Sequence, residues 1–166
     1  MNADGVQVQI RVALSQAEVQ DAAGLFREYA ASLPFSLCFQ GFEQELATLP
    51  GRYAPPSGRL LVAYASDQPV GCIALREISD QAGPGACEMK RLYVVPAHRG
   101  TGLGRRLCEL LIAEARVQGY SVMKLDTSGD MLAAQGLYRS LGFTPCERYN
   151  HDPLEDTLWF ELDLRK

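Results

Sequence analysis

The residues Arg99-Gly100-Thr101-Gly102-Leu103-Gly104 set three glycines and a guanidinium in six consecutive positions, a combination suited to holding a phosphate. A helix starting near Gly102 leaves its first amides without an internal partner. Those amides and the helix dipole together attract an anion. Gly100, Gly102 and Gly104 remove Cβ atoms where a phosphate approaches, and Arg99 adds a permanent charge able to bind its oxygens bidentately. A diphosphate suits this arrangement. The same glycines also fit a sharp turn with no ligand, because short glycine motifs recur by chance. A Walker loop is excluded, since no G-x-x-x-x-G-K-[ST] occurs. A dinucleotide fingerprint requires a third glycine where Arg105 stands; Asp126, about twenty residues on, keeps that reading as a competitor.

Other local chemistry is sparse. His98 and His151 are the only histidines, too few to build a zinc site without carboxylates that sequence cannot place, so no metal is expected. His98 reads as an exposed loop residue. The five cysteines, Cys38, Cys72, Cys87, Cys108 and Cys146, are odd in number and lack C-x-x-C spacing. They read as small buried hydrophobes in a reducing cytosol.

Several elements must position the glycine-rich loop. Val6, Val8, Ile10 and Val12 alternate as in a half-buried strand. Ser15, with Glu18 three residues on, predicts the cap of a helix carrying Val19, Ala22, Ala23, Phe26 and Ala30 up to Pro34. A short helix is predicted over residues 39–49, followed by a Pro and Gly-rich loop. Residues 59–65 and 70–78 read as a hairpin about a turn at 66–69, and 87–95, entered through the loop 80–85, as a third strand. After the loop, Leu103, Leu107, Cys108, Leu111 and Ala115 form the apolar stripe of a long helix ended by Gly119. A strand at 121–125, a helix at 131–140 closed by Gly142, and a strand at 157–164 complete a mixed sheet with helices on its faces.

Composition bounds the rest. A length of 166 residues suits one domain over 1–166. A hydrophobic fraction of 47% supplies enough apolar material for a core. The net charge of −4 and pI near 5.2 argue against a nucleic-acid surface. Arg99, Arg105 and Arg106 are the one basic focus, which fits a small anion better than a polymer. No basic start with an apolar run opens the chain and no stretch is long enough to cross a bilayer, so a cytoplasmic protein without a membrane partner is expected.

The strand Glu88-Met89-Lys90-Arg91-Leu92-Tyr93-Val94-Val95, then Pro96 and Arg99-Gly100-Thr101-Gly102-Leu103-Gly104, resembles the GNAT superfamily of acyl-CoA-dependent N-acyltransferases, whose signature is [RQ]-x-x-G-x-[GA]. Ala134, Leu137, Tyr138, Gly142 and Phe143 are similar to its A-x-x-L-Y-x-x-x-G-F segment, and the two blocks stand in the family's order and spacing. The resemblance implies an α/β fold of the α+β type: a mixed central sheet of six or seven strands with flanking helices, splayed between strands 4 and 5 to admit the pantetheine arm. It further implies that backbone groups at Leu92, Tyr93 and Val94 bond the pantetheine and acyl carbonyl. The amides of Gly100, Thr101, Gly102, Leu103, Gly104 and Arg105 would take the pyrophosphate. Met131 replaces an asparagine common in the family, so that contact is missing or supplied by Asp126 or Thr127.

An amine attacking a thioester must lose a proton, its tetrahedral oxyanion needs a donor, and the leaving thiolate benefits from an acid. Glu88 stands four residues before Leu92, which by simple strand alternation puts the two on one face. It resembles the family's base; pairing with Lys90 or Arg91 is the competing role. Tyr138 matches the family tyrosine beside the thioester sulfur and otherwise reads as core. A backbone amide near Leu92 or Val94 would serve the oxyanion. Phe35, Phe39, Arg76, Tyr149 and Asn150 are candidates for the acceptor side, each equally suited to packing, and Trp159 reads as core. The resulting expectation is transfer of acetyl from acetyl-CoA to a primary amine by direct attack. A noncatalytic acyl-CoA-binding module is the alternative, and Glu88 with Tyr138 favours the enzyme. The acceptor, small molecule or protein, and a homodimer are left open.

Overall fold

The computed structural model describes residues 5–38 and 41–166, and the expectations for Phe39 and for the first four residues lie outside them. Seven strands form one sheet in the order β1-β2-β3-β4-β5-β7-β6. They are β1 (Val8–Val12), β2 (Arg59–Ala65), β3 (Gln68–Glu77), β4 (Ala86–Val94), β5 (Val122–Ser128), β6 (Thr144–Pro145) and β7 (Thr157–Asp163). The helices are α1 (Gln16–Ser32), α2 (Phe42–Ala47), α3 (Ser79–Ala82), α4 (Leu103–Val117) and α5 (Leu132–Ser140). All neighbouring strands are antiparallel except β4 and β5, which run parallel on either side of the crossover helix α4.

Local chemistry sets the helix ends. The Ser15 hydroxyl accepts the Glu18 amide at 3.1 Å, while the Glu18 carboxylate accepts the amide of Leu14 at 3.3 Å, a reciprocal cap displaced by one residue. Gly119 (φ +89°) and Gly142 (φ +100°) end α4 and α5 in the left-handed conformation. In each case the residue after the glycine donates back across the last turn, Tyr120 to Ala115 and Phe143 to Tyr138, both at 3.1 Å. The β2–β3 turn is tighter than the four residues expected. Ser66 and Asp67 alone make it, both at positive φ, so that Gln68 and Pro69 belong to β3. The segment 80–85 is not wholly irregular, because the single turn α3 occupies its start.

Two apolar layers cover the sheet. On one face α4 packs Leu107, Cys108, Leu111 and Ala115 against Ile73, Leu75, Met89 and Met123. On the other, α1 packs Val19, Ala22, Leu25 and Phe26 against Val62, Tyr64, Cys72 and Ala74. Three cysteines, Cys72, Cys87 and Cys108, are buried as expected; Cys38 is exposed and Cys146 half-buried. Trp159 is also only half-buried and lies under the Arg148 guanidinium, 4.9 Å from its ring centre, because its own strand β7 has only the two-residue edge strand β6 beyond it.

Two irregularities in β4 shape the site. The first is a bulge: Cys72 pairs with Tyr93 but Ala74 pairs with Lys90, so Arg91 and Leu92 together oppose Ile73. Arg91 adopts φ +62°, an expensive conformation for a non-glycine residue. Its guanidinium is clamped by both oxygens of Glu45, at 2.8 and 3.2 Å, over the Phe42 ring. The second is the parting of β4 from β5. Among the described residues they pair only at Ala86–Val122, Cys87–Met123 and Glu88–Lys124. Beyond Glu88, β4 keeps β3 on one edge while its other edge faces a cleft.

Candidate active site

The cleft divides into three connected spaces. An outer groove of about 640 Å³ runs along Tyr93, Val94, Arg99, Gly102 and Gly104 and is closed by the start of α5 and the end of α1. It shares Tyr29, Leu92, Met131 and Ala134 with an inner chamber of about 70 Å³, which also holds Tyr138, Asp126 and Thr127. The chamber shares Lys90, Asp126 and Asp152 with a third pocket of about 140 Å³, lined wholly by polar residues that include Arg76, Asn150 and His151.

At the groove, the first backbone bond of α4 runs from the Arg106 amide to the Gly102 carbonyl, so the amides of Leu103, Gly104 and Arg105 lie outside the helical ladder. Gly100 and Gly102 have φ of +74° and +84°, which explains them by backbone conformation alone. Gly104 is different. Its φ is ordinary, and an added Cβ would meet only Leu137 at 3.7 Å and Val94 at 3.9 Å, ordinary contacts with two groove-lining residues. Nothing in the protein requires glycine there, whereas a ligand in the groove would. Arg99 lines the groove, donating its Nε to the Val94 carbonyl at 2.9 Å with its guanidinium 5.6 Å from the Tyr93 ring centre.

The other loop side chains have local partners. Thr101 donates its hydroxyl to the His98 carbonyl at 2.7 Å, and Arg105 pairs with Glu109 and donates to Ser140. His98 lines the groove, half-buried rather than exposed, and its Nδ1 is buried without a hydrogen-bond partner. Asp126 and Thr127 line the inner chamber and not the outer groove, while Met131 lines both.

The bulge separates two residues expected to share a face. Leu92 packs with Met89 on the α4 side, whereas Glu88 lies with Arg76 on the other, because the extra residue at Arg91–Leu92 reverses the alternation. Glu88 is fully buried. Arg76 Nε donates to its Oε1 at 2.8 Å, the Tyr149 hydroxyl donates to its Oε2 at 2.6 Å, and Lys90 Nζ lies 3.8 Å from Oε1. Burial works against the carboxylate, yet Lys90, Arg76 and the Tyr149 bond together hold its pKa below the usual range. Arg91, considered as a partner for Glu88, turns instead to Glu45.

Asp126 has the opposite environment. Burial, ahead of all other influences, pushes its carboxyl up, with Glu88 and Asp152 adding to the rise and Lys90 and Asn150 opposing it. Its Oδ2 accepts from Asn150 Nδ2 at 2.6 Å, and Asn150 Oδ1 in turn accepts from Trp159 Nε1 at 2.9 Å. Burial also raises Tyr138 well above the ordinary tyrosine value. Among the acceptor-side candidates, Phe35 lines the chamber, Arg76 and Asn150 line the polar pocket, and Tyr149 serves Glu88. Sequence reading missed Tyr29, Asp152 and Lys90 as cleft residues. Neither Tyr29 nor Asp152 belongs to a local motif, and Lys90 stood out only as a partner for Glu88. Among the described residues no group of three or more His, Cys, Asp or Glu could hold a metal ion, and no helix is long and apolar enough to cross a membrane.

A sheet parted between its parallel fourth and fifth strands, with a helix N-terminus at the mouth of the cleft, defines an acyltransferase architecture. The acetyltransferase (GNAT) family model matches residues 23–143. The chain is 39% identical over 150 residues to an uncharacterised N-acetyltransferase of Schizosaccharomyces pombe, covering 90% of each chain. A Staphylococcus aureus acetyltransferase of the GNAT family shares the fold at a TM-score of 0.76 with 17% identity, over 95% of this chain and 99% of that one. YncA of Salmonella typhimurium, solved with its cofactor acetyl-CoA, does so at 0.75 with 24% identity, over 95% and 94%. The chain belongs to the GNAT acetyltransferase family.

Proposed function

We propose that this acyltransferase moves an acetyl group from acetyl-CoA to a primary amine by direct attack in the inner chamber. The observation that carries the reading is the continuity of the cleft: an outer groove beginning at the α4 N-terminus shares Leu92, Met131 and Ala134 with a chamber containing Tyr138. A pyrophosphate at the α4 amides would place an extended pantetheine arm along the unpaired edge of β4, where backbone groups of Leu92, Tyr93 and Val94 can bond it as a strand bonds a neighbour. Gly104 supports the same occupant, since the groove gains from its missing Cβ and the fold does not.

Within the chamber Tyr138 suits the acid. It lines the chamber with no hydrogen-bond partner for its hydroxyl among the described residues, and burial keeps that hydroxyl protonated, though the same burial makes the proton harder to give up. A Leu92 or Val94 amide at the cleft edge would steady the oxyanion. Glu88 fixes the positions of Arg76, Lys90 and Tyr149 around the acceptor side. Calorimetric titration with acetyl-CoA, followed by thiol release over an amine panel, tests the reading. Saturable donor binding with thiol release for at least one amine is expected. Donor binding without any thiol release would leave a binding module instead, and no donor binding would end both readings.

A further inference from the structure

We propose that Asp126 is the catalytic residue that takes the proton from the attacking amine, an inference that rests on the acetyl-transfer reading above. Three carboxylates lie at the inner end of the cleft; Asp152 also lines both the chamber and the polar pocket, with its Oδ1 accepting the Leu154 amide at 2.9 Å, and the surroundings of Glu88 and Asp126 differ. Both oxygens of Glu88 accept hydrogen bonds, its side chain is fully buried, and it lines neither the chamber nor the polar pocket. Asp126 lines both, so an amine entering through the polar pocket passes it on the way to Tyr138. Among the described residues its Oδ2 accepts a hydrogen bond from Asn150 and its Oδ1 accepts none, which offers Oδ1 to the substrate. The Trp159–Asn150–Asp126 chain fixes the carboxylate, and Trp159 lies directly opposite Asp126 in the β5–β7 register.

Charged and titratable groups face Asp126 from each packed element: Lys90 and Glu88 from β4, Arg76 from β3, Tyr138 from α5, Tyr29 from α1, and Tyr149, His151 and Asp152 from the segment before β7. Environments that push two nearby carboxyls apart separate their roles. The one held low stays an anion that orients cations. The one pushed up binds a proton nearer to working pH, as a general base requires.

The step balances as follows. The ammonium form of the acceptor gives one proton to Asp126, and the freed lone pair forms the C–N bond to the thioester carbon. The C–S bond breaks with its electron pair on sulfur, which takes the Tyr138 proton. One of the two protons left on nitrogen restores Tyr138 while the other stays as the amide N–H, and Asp126 releases its proton to solvent, so that each turnover yields an amide, a thiol and one proton.

The test compares the pH dependence of thiol release by the wild type, Asp126→Asn and Asn150→Ala, with acetyl-CoA affinity by calorimetry as the control for an intact donor groove. Asp126→Asn is expected to lower kcat by about a hundredfold or more, to erase the acidic limb of the profile, and to leave acetyl-CoA affinity within about twofold. Asn150→Ala removes a bond that favours the ionised carboxylate, so its acidic limb should move to higher pH. A fully active Asp126→Asn with the wild-type limb overturns the assignment. If that variant fails to fold, an unmoved limb in Asn150→Ala overturns it equally. A wild type that binds acetyl-CoA and releases no thiol is the distinct outcome that removes the acetyl-transfer reading itself.

Discussion

Tyr149 reaches from the segment between β6 and β7 to donate its hydroxyl to Glu88 on β4, 61 residues earlier, at 2.6 Å. The bond ties the C-terminal part of the chain to the strand that borders the cleft. Tyr149→Phe leaves a buried carboxylate oxygen without its donor and should cost about 1 to 3 kcal/mol of unfolding free energy. Urea unfolding of both proteins measures it, and equal midpoints and slopes would show that the bond contributes nothing.

Glu88→Gln should cost more. It leaves Arg76 and Lys90 near a neutral amide in a buried site, and breaking such a pair typically costs about 3 to 5 kcal/mol. The Glu88 pKa in the folded protein lies below the ordinary glutamate value of 4.5. Its contribution is therefore complete above that value and is lost as pH falls through the lowered folded pKa. The gap in stability between wild type and Glu88→Gln should accordingly narrow below pH 4.5. A gap constant across the acid range would contradict the ion-pair assignment.

Asp126 carries the reverse sign. Its folded pKa is raised above 3.8, so ionisation at neutral pH opposes folding, and the penalty disappears as pH falls through the raised value. Asp126→Asn should melt above the wild type at neutral pH, with the advantage shrinking in acid. Stability lost to a functional group is a common exchange. Scanning calorimetry across pH decides the matter, and a variant less stable at every pH counts against it.

Gly102 and Gly104 should respond differently. Gly102→Ala forces a side chain into φ +84° and should cost about 1 to 2 kcal/mol. Gly104→Ala should leave stability unchanged or raise it by up to about 1 kcal/mol, since alanine favours the helix. Its Cβ would narrow the groove, however, and acetyl-CoA affinity should fall tenfold or more. Undiminished affinity in Gly104→Ala would remove the groove as the donor site.

Tyr138→Phe deletes a hydroxyl that has no hydrogen-bond partner among the described residues, so folding should be little affected. Turnover should drop about tenfold or more while the KM for acetyl-CoA stays constant. Full turnover in this variant would assign the proton on the leaving thiol to water.

The elements that sequence revealed are those written in short range. The α4 stripe, the Ser15 cap and the glycines that end α4 and α5 each depend on residues within a turn or two. The groove half of the candidate site was legible for the same reason, being a strand, a loop and a helix in direct succession. At the polar end Arg76, Tyr149 and Asn150 were candidates by residue type alone, and their partnerships were not legible because they join separate segments: Arg76 with Glu88, Glu88 with Tyr149, Asn150 with Asp126. The reversed face of Leu92 escaped for another reason. Arginine does not advertise positive φ, and the bulge at Arg91 is held by Glu45, 46 residues earlier. One unrecognised extra residue inverts every alternation argument beyond it.

The pinned end of the cleft lies at Gly85, where the Ser121 and Val122 amides both donate to one carbonyl at 2.9 and 3.3 Å. Gly85 sits at φ +78°, and a Cβ there would come within 2.5 Å of the Ser121 hydroxyl oxygen. Like the spring of a clothes peg, this contact and the three residue pairs after it set how far the jaws stand open at Leu92 and Asp126. The gauge of the active site is thus fixed by a glycine that lines none of its three spaces, and wedging that spring would be felt at the jaws.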